Sequence, residues 1–287
     1  MIIALVLLSA LLHATWNALL RVEADKDRVL VAAVSVATLL AAIIAGVRWG
    51  LGEAPFSTAL SLYWALAAGV LEWLYFSSLA KALDRGSLGP VYTISRGGAI
   101  LLVWPISIGL FAEPLTTTSA IGSAVVFSGI ALSSSRTGDA RTINRPGVGS
   151  ALAWAIACAV SIAGYHLAYK AALREGGSAS AVFAVALAVA SVINLVRLGG
   201  AGRDVVRTLL RTRLPRIVMM GLVCGGSFLI LMEALAAGGA GYVLTLRNTS
   251  VLFATGLAFA IGERPRRVEI AGAAFVAAGA VLMAWPA

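Results

Sequence analysis

Apolar residues run along this chain in long blocks separated by short polar breaks. Ten blocks can be drawn: 2–20, 29–47, 59–83, 89–111, 116–134, 148–172, 179–196, 216–236, 240–261 and 268–285. Each approaches the roughly 20 residues that a helix needs to cross a bilayer. The connections are too short to hold a soluble domain. The longest, 197–215, is arginine-rich and has room for a small surface helix. The first block lacks the basic leader of a signal peptide and recurs later in the chain, so it reads as a retained span.

Composition agrees. Of 287 residues, 60% are apolar and 12% charged, with mean hydropathy +0.93. A soluble domain carries about 25% charged residues, so this chain has too few to cover a soluble surface. The net charge of +9 does not mean nucleic acid, because the charges are sorted by side. In the ten-span reading, 17 of the 22 Lys and Arg fall on the odd-numbered connections, the 197–215 stretch among them. This is the positive-inside pattern. It places those connections in the cytoplasm and both termini outside.

The chain is also written twice. "HATWNALLR" at 13–21 returns as "HLAYKAALR" at 166–174, and the chain has no other histidines. "FSSLAKAL" (76–83) matches "FLILMEAL" (228–235), and "GPVYT" (89–93) matches "GYVLT" (241–245). "AEPLT" (112–116) matches "GERPR" (262–266). Glu113, Gly122 and Gly129 then match Glu263, Gly272 and Gly279 in spacing. The predicted fold class is an all-α membrane protein of ten transmembrane helices in two inverted five-helix repeats, 1–135 and 148–287, joined by a 136–147 loop. Five spans per repeat is an odd number, so the second repeat enters the bilayer upside down. Inverted repeats place a substrate site near the midplane between the halves.

These features together resemble the drug/metabolite transporter superfamily, EamA type. The resemblance rests on the two five-span repeats, a Glu after the fourth and ninth spans, and glycine-bearing fifth and tenth spans. It covers nearly the whole chain. It implies alternating access for small solutes, often as export. It also implies that spans 1–4 and 6–9 surround the cavity while 5 and 10 stand aside. Many relatives are drawn with both termini in the cytoplasm, where the charges here argue the reverse.

Ionisable residues within spans are costly and read first as functional. Glu72 lies deepest, near the middle of the third block, with Tyr75 and Phe76 at i+3 and i+4 on its face. It offers an anion for a substrate amine or a transported proton. Arg96, before Gly97 and Gly98, and Arg247, in "TLRNTS", offer planar forks suited to a carboxylate or phosphate. A structural ion pair with Glu72 or Glu233 is the competing reading of either arginine. His13, Trp16 and Asn17 share one helix face, as do His166, Tyr169 and Lys170; Lys170 lies near a span end and can snorkel. Tyr92 and Tyr165 are deep enough to stack on a substrate, as are Trp73 and Trp104, whereas Trp49, Tyr63, Trp64 and Trp285 suit the interfacial belt. Pro105 predicts a kink in span four. Glu113 and Glu263 read as helix-start caps, and Gly122/Gly129 and Gly272/Gly279 as a close-packed pair and an oligomer contact. Cys158 and Cys224 read as small buried residues.

The expected function is a secondary transporter of small metabolites in the plasma membrane, the bacterial inner membrane, as a multi-pass protein. Amino-acid export, of aromatic or other neutral amino acids, suits an acid, an arginine and deep aromatics. Export of sugars, nucleosides or cationic drugs is the alternative, and a passive channel is the alternative of another class. No constellation for catalysis, no metal-ligand spacing and no P-loop is present, so no enzyme, metal or cofactor is expected. The expected partners are a small-molecule substrate and the lipid bilayer, with protons as a coupling ion and a monomer or weak homo-oligomer as the assembly.

Overall fold

The structure is a computed structural model that describes residues 2–111, 116–134 and 148–283. The described residues are almost entirely helical. The first half holds α1 (Ile2–Arg21), α2 (Lys26–Gly50), α3 (Ala59–Arg85), α4 (Leu88–Phe111) and α5 (Thr117–Ser134). The second holds α6 (Val148–Arg174), α7 (Ala179–Thr212), α8 (Leu214–Ala237), α9 (Ala240–Arg247), α10 (Ser250–Ala260) and α11 (Arg267–Met283). The apolar blocks coincide with these helices to within a few residues, except that α7 runs on past the seventh block to Thr212 and the ninth block is divided between α9 and α10. Eight stretches are long and apolar enough to cross a membrane, Gly241–Ala260 counting as one. Glu113, Pro114, Trp285 and the 136–147 loop lie outside the described residues.

Local sequence sets the helix ends. Asp25 accepts from the Arg28 amide at 3.1 Å, Thr58 from Ser61 at 3.1 Å and Ser178 from Ala181 at 3.3 Å; each side chain satisfies an amide of a first turn. α7 leaves the helical path at Gly199, whose φ of 64° favours a residue without a Cβ. The following turns, to Thr212, form the surface helix anticipated in the arginine-rich connection. They expose Arg203, Arg207 and Arg211 while burying Gly202 and Val206. α4, in contrast, runs through Pro105 as one assigned helix.

The helices pack with their small and polar residues inward. α3 lies on α6 and α7, α1 on α8 and α10, α2 on α7 and α8, and α4 on α6. Large apolar side chains such as Leu39, Leu110, Phe127 and Val196 stand more than 60% exposed. An apolar exterior over a polar-seeded interior is what lipid as solvent demands. Trp49, Tyr63 and Trp64 are exposed near helix ends, as expected for interfacial anchors.

α5 and α11 pack against each other at the side of the bundle. A Cβ on Gly129 would lie 2.6 Å from the Gly272 carbonyl oxygen, and one on Gly279 would lie 2.6 Å from that of Gly122. The glycines meet one another within one chain, so this seam is not free for the oligomer contact that spacing alone permitted. Two further close approaches escaped the sequence reading. A Cβ on Gly69 would meet Ala186 O and Val189 at 2.5–2.6 Å, and one on Gly221 would meet Val36 and Ala33 O at 2.6–2.7 Å.

Candidate functional site

At the centre of the bundle, α1, α3, α4, α6, α8 and α9 direct polar side chains inward. α1 supplies His13, with its ring wholly buried. Arg96 of α4 faces Nε2 of that ring through Nη2, the Tyr75 hydroxyl of α3 stands 3.3 Å from the same nitrogen, and Arg247 of α9 faces Nδ1 at 3.0 Å. Phe228 of α8 lies under the Arg247 guanidinium at 4.8 Å and meets the His13 ring edge-on at 5.1 Å. Tyr92 lies 5.6 Å from the Arg96 guanidinium. Both cations therefore rest against aromatic faces, which supply cation–π attraction where water is excluded.

The acid of the site is Glu72. It is fully buried and accepts from the Tyr169 hydroxyl at 2.8 Å. It makes no ion pair with either arginine among the described residues, although Arg247 is within electrostatic reach. The pairing of Arg247 with Glu233 is not formed either: Glu233 bridges to Arg48 at 2.5 Å, near the C-terminal ends of α8 and α2. The two guanidiniums thus meet an imidazole and aromatic rings rather than a carboxylate.

Several buried polar atoms here have no hydrogen-bond partner in the protein: Glu72 Oε1, the Tyr92 and Tyr165 hydroxyls, His166 Nε2, and Arg247 Nε and Nη1. Leaving one such group unpaired costs about 1–3 kcal/mol.

The remaining residues singled out by sequence divide by role. Tyr165 packs between His166 at 4.2 Å, Tyr75 at 5.4 Å and Tyr169 at 5.5 Å. Trp16 stacks edge-on against His13 and Phe76, both at 6.1 Å, and so backs the site. Asn17 is spent locally, donating to the His13 carbonyl at 2.6 Å. Lys170 donates to the Leu235 and Gly238 carbonyls at 3.0 and 2.9 Å, binding the end of α8. Trp73 is only half-buried, and Trp104 donates to Thr245 at 3.3 Å. Glu263 does not cap the helix that follows it. It accepts from the Leu88 amide at 3.0 Å, at the start of α4, and pairs with Arg21 at 2.7 Å.

Two residues that touch the central cluster were not singled out by sequence. Phe228 was visible as the counterpart of Phe76 in "FLILMEAL" but carried no charge to draw attention. Asn248 stands in the register of Arg96 when "GPVYT" is laid on "GYVLT"; it donates to the Arg96 carbonyl at 3.1 Å. It also ends α9, and the bundle buries the broken backbone, as irregular structure at membrane depth requires.

Contacts bridge the helix ends on both sides of the bundle. On the arginine-rich face, the nearly buried Glu23 pairs with Arg216 at 2.5 Å and Arg213 at 3.4 Å, and Asp27 pairs with Arg197 at 2.6 Å. On the other face, the α2–α3 and α6–α7 connections join through backbone: Ser57 N to Gly176 O at 3.0 Å and Ser178 N to Pro55 O at 2.9 Å. A hollow of about 460 Å³ opens on the arginine-rich face between Lys26, Lys81 and Asp84, and none of its lining residues belongs to the central cluster.

Residues 149–285 match the EamA-like transporter family. The second half of the chain is thus similar to EamA-like transporters. A comparison with curated protein sequences gives no match. One solved structure, titled only "Crystal structure of protein", is similar over 98% of this chain and 95% of its own, with a TM-score of 0.67 at 15% identity. That likeness speaks for the fold across the whole length, first half included.

Proposed function

We propose that this chain, whose second half is similar to EamA-like transporters, is a secondary transporter of small metabolites that exports amino acids, aromatic or other neutral ones. The observation that carries the reading is the pair of buried guanidiniums, Arg96 and Arg247, meeting at His13 beside the Glu72–Tyr169 pair. A zwitterion fits this arrangement. Its carboxylate suits the arginines, its ammonium suits Glu72, and Tyr75, Tyr165 and Phe228 supply an aromatic wall. Two guanidiniums at the centre weigh against a cationic drug. Glu72, as the buried acid, is the group through which a proton gradient would couple to export.

Alternating access by two inverted five-helix repeats, 1–135 and 148–287, is supported by reciprocal contacts. Gly69 of α3 seats on Ala186 and Val189 of α7, and Gly221 of α8 seats on Ala33 and Val36 of α2. Thr38 and Ser191, equivalent positions in the register of the two histidines, hydrogen-bond each other at 2.6 Å. Reciprocal pairing of this kind is the mark of a twofold relation. The contacts that bridge the helix ends on both sides support a carrier rather than a passive channel. The site lies at the midplane of a multi-pass chain that acts in the plasma membrane, as a monomer or a weak homo-oligomer.

The test is an uptake screen in proteoliposomes across neutral amino acids, sugars, nucleosides and organic cations, with and without a pH gradient. Saturable flux confined to amino acids supports the proposal. Flux of organic cations with none of amino acids overturns it.

A further inference from the structure

We infer that His13 is not a ligand for the substrate but a built-in occupant of its anion seat, held between Arg96 and Arg247 until a carboxylate displaces it. The inference deepens the amino-acid reading above and rests on it only for the identity of the carboxylate.

Hydrogen-bond arithmetic carries the argument. A neutral imidazole has one N–H and one accepting nitrogen, and a guanidinium has donors only. Arg96 faces Nε2 and Arg247 faces Nδ1. Only one of these contacts can be a hydrogen bond; in the other, N–H opposes N–H. Protonating His13 makes both contacts donor-to-donor and adds a third positive charge. Neither the neutral ring nor the imidazolium satisfies both arginines. A carboxylate does, because its two oxygens carry about four acceptor sites and can take a guanidinium on each side.

The surroundings agree. Nothing anionic touches either guanidinium among the described residues, and Glu72 is engaged by Tyr169. Arg247 Nε and Nη1 have no partner, so part of its donor fork is unused. Asn17 holds the His13 carbonyl and makes no bond to the ring, so displacement of the ring breaks no backbone contact. His166 occupies the matching place in the second half. Its Nε2 meets no donor or acceptor, and its ring rests on Tyr165. A ring in this fold can therefore stand without the arginines, as His13 would after displacement.

Truncating the occupant should expose an anion site of its own size. The probe is acetate, and the readout is the melting temperature of the full-length protein in detergent. His13→Ala is expected to gain roughly 5 °C or more when acetate is about 100 times its Kd, with wild type unmoved at that concentration. Imidazole should stabilise the variant less than acetate, and His13→Ala/Arg96→Gln should lose the acetate response. His13→Asn is read in parallel, in case alanine does not fold. No acetate response in either single variant, a stronger response to imidazole, or a response that survives Arg96→Gln overturns the inference. An acetate response alongside absent amino-acid flux keeps the seat and removes the amino-acid reading. Amino-acid flux without an acetate response does the reverse.

Discussion

Gly129→Ala adds a single methyl group where α5 and α11 touch through backbone. The new Cβ would stand 2.6 Å from Gly272 O, 2.8 Å from Val276 N and 2.9 Å from Phe275 Cβ. Optimal contact between carbon atoms needs about 3.5–4.0 Å, so the shortfall is close to 1 Å. Two of the three obstacles are backbone atoms, which no rotamer change can move. The helices must part or slide, and the contacts two turns away at Gly122 and Gly279 must move with them. Overpacking of this kind costs typically about 1–3 kcal/mol. At roughly 2–4 °C per kcal/mol for a chain of this order of size, the melting temperature should fall by about 2–12 °C. Gly46→Ala is the control. It lies in α2 with nothing within 4 Å of the added carbon, and alanine there gains about 0.5–1 kcal/mol of helix preference. The assay is thermal unfolding of purified protein in detergent, with flux measured on the surviving fraction. Gly129→Ala melting as high as Gly46→Ala would refute the close-packed seam. A change in which solutes compete would refute its separation from the site.

Three more outcomes are expected. Glu72→Gln and Arg96→Gln should not rescue each other, because no ion pair joins them; a double mutant that regains the stability lost by the singles would contradict this, and additivity within about 0.5 kcal/mol agrees with it. Glu23→Gln should loosen the arginine-rich face, since Arg213 and Arg216 lose the anion they share. A cysteine at Ser78 should then label faster from that face, and an unchanged rate would show that the ion pairs do not hold it shut. Both termini should lie outside the cytoplasm, so an impermeant thiol reagent on intact cells should label a cysteine at position 2 and spare one in 197–215; the reverse pattern would invert the orientation.

The fold was legible because its signals are additive along the chain. Apolar length, charge at the connections and a repeat over most of the sequence each fix elements without reference to contacts. The glycine seam between α5 and α11 was legible for the same reason, as identical spacings in both halves. The buried central cluster was legible as a set of residues and not as a pattern of pairing. Glu72, Arg96 and Arg247 announced themselves because charge within a span is costly. That both arginines converge on His13, and that Tyr169 rather than an arginine holds Glu72, depends on helix rotation and tilt, which sequence spacing does not carry. Asn17 and Lys170, which match each other beside the two histidines, both donate to backbone carbonyls, a use that spacing does not reveal. Phe228 was hidden by being apolar in an apolar block. Gly69 and Gly221 were hidden because a lone glycine in a span says nothing of the backbone it will meet.

The most direct measurement is counterflow of labelled L-phenylalanine in proteoliposomes holding wild type, Arg96→Gln or Arg247→Gln, with L-phenylalaninamide as competitor. A charge-assisted hydrogen bond contributes about 1.5–3 kcal/mol, so each variant should lose roughly tenfold to a hundredfold in saturable flux while staying monodisperse. The amide, which lacks the carboxylate, should compete poorly with wild type. Full flux in both variants, or an amide that competes as well as the acid, would contradict a buried arginine pair that receives the substrate's carboxylate.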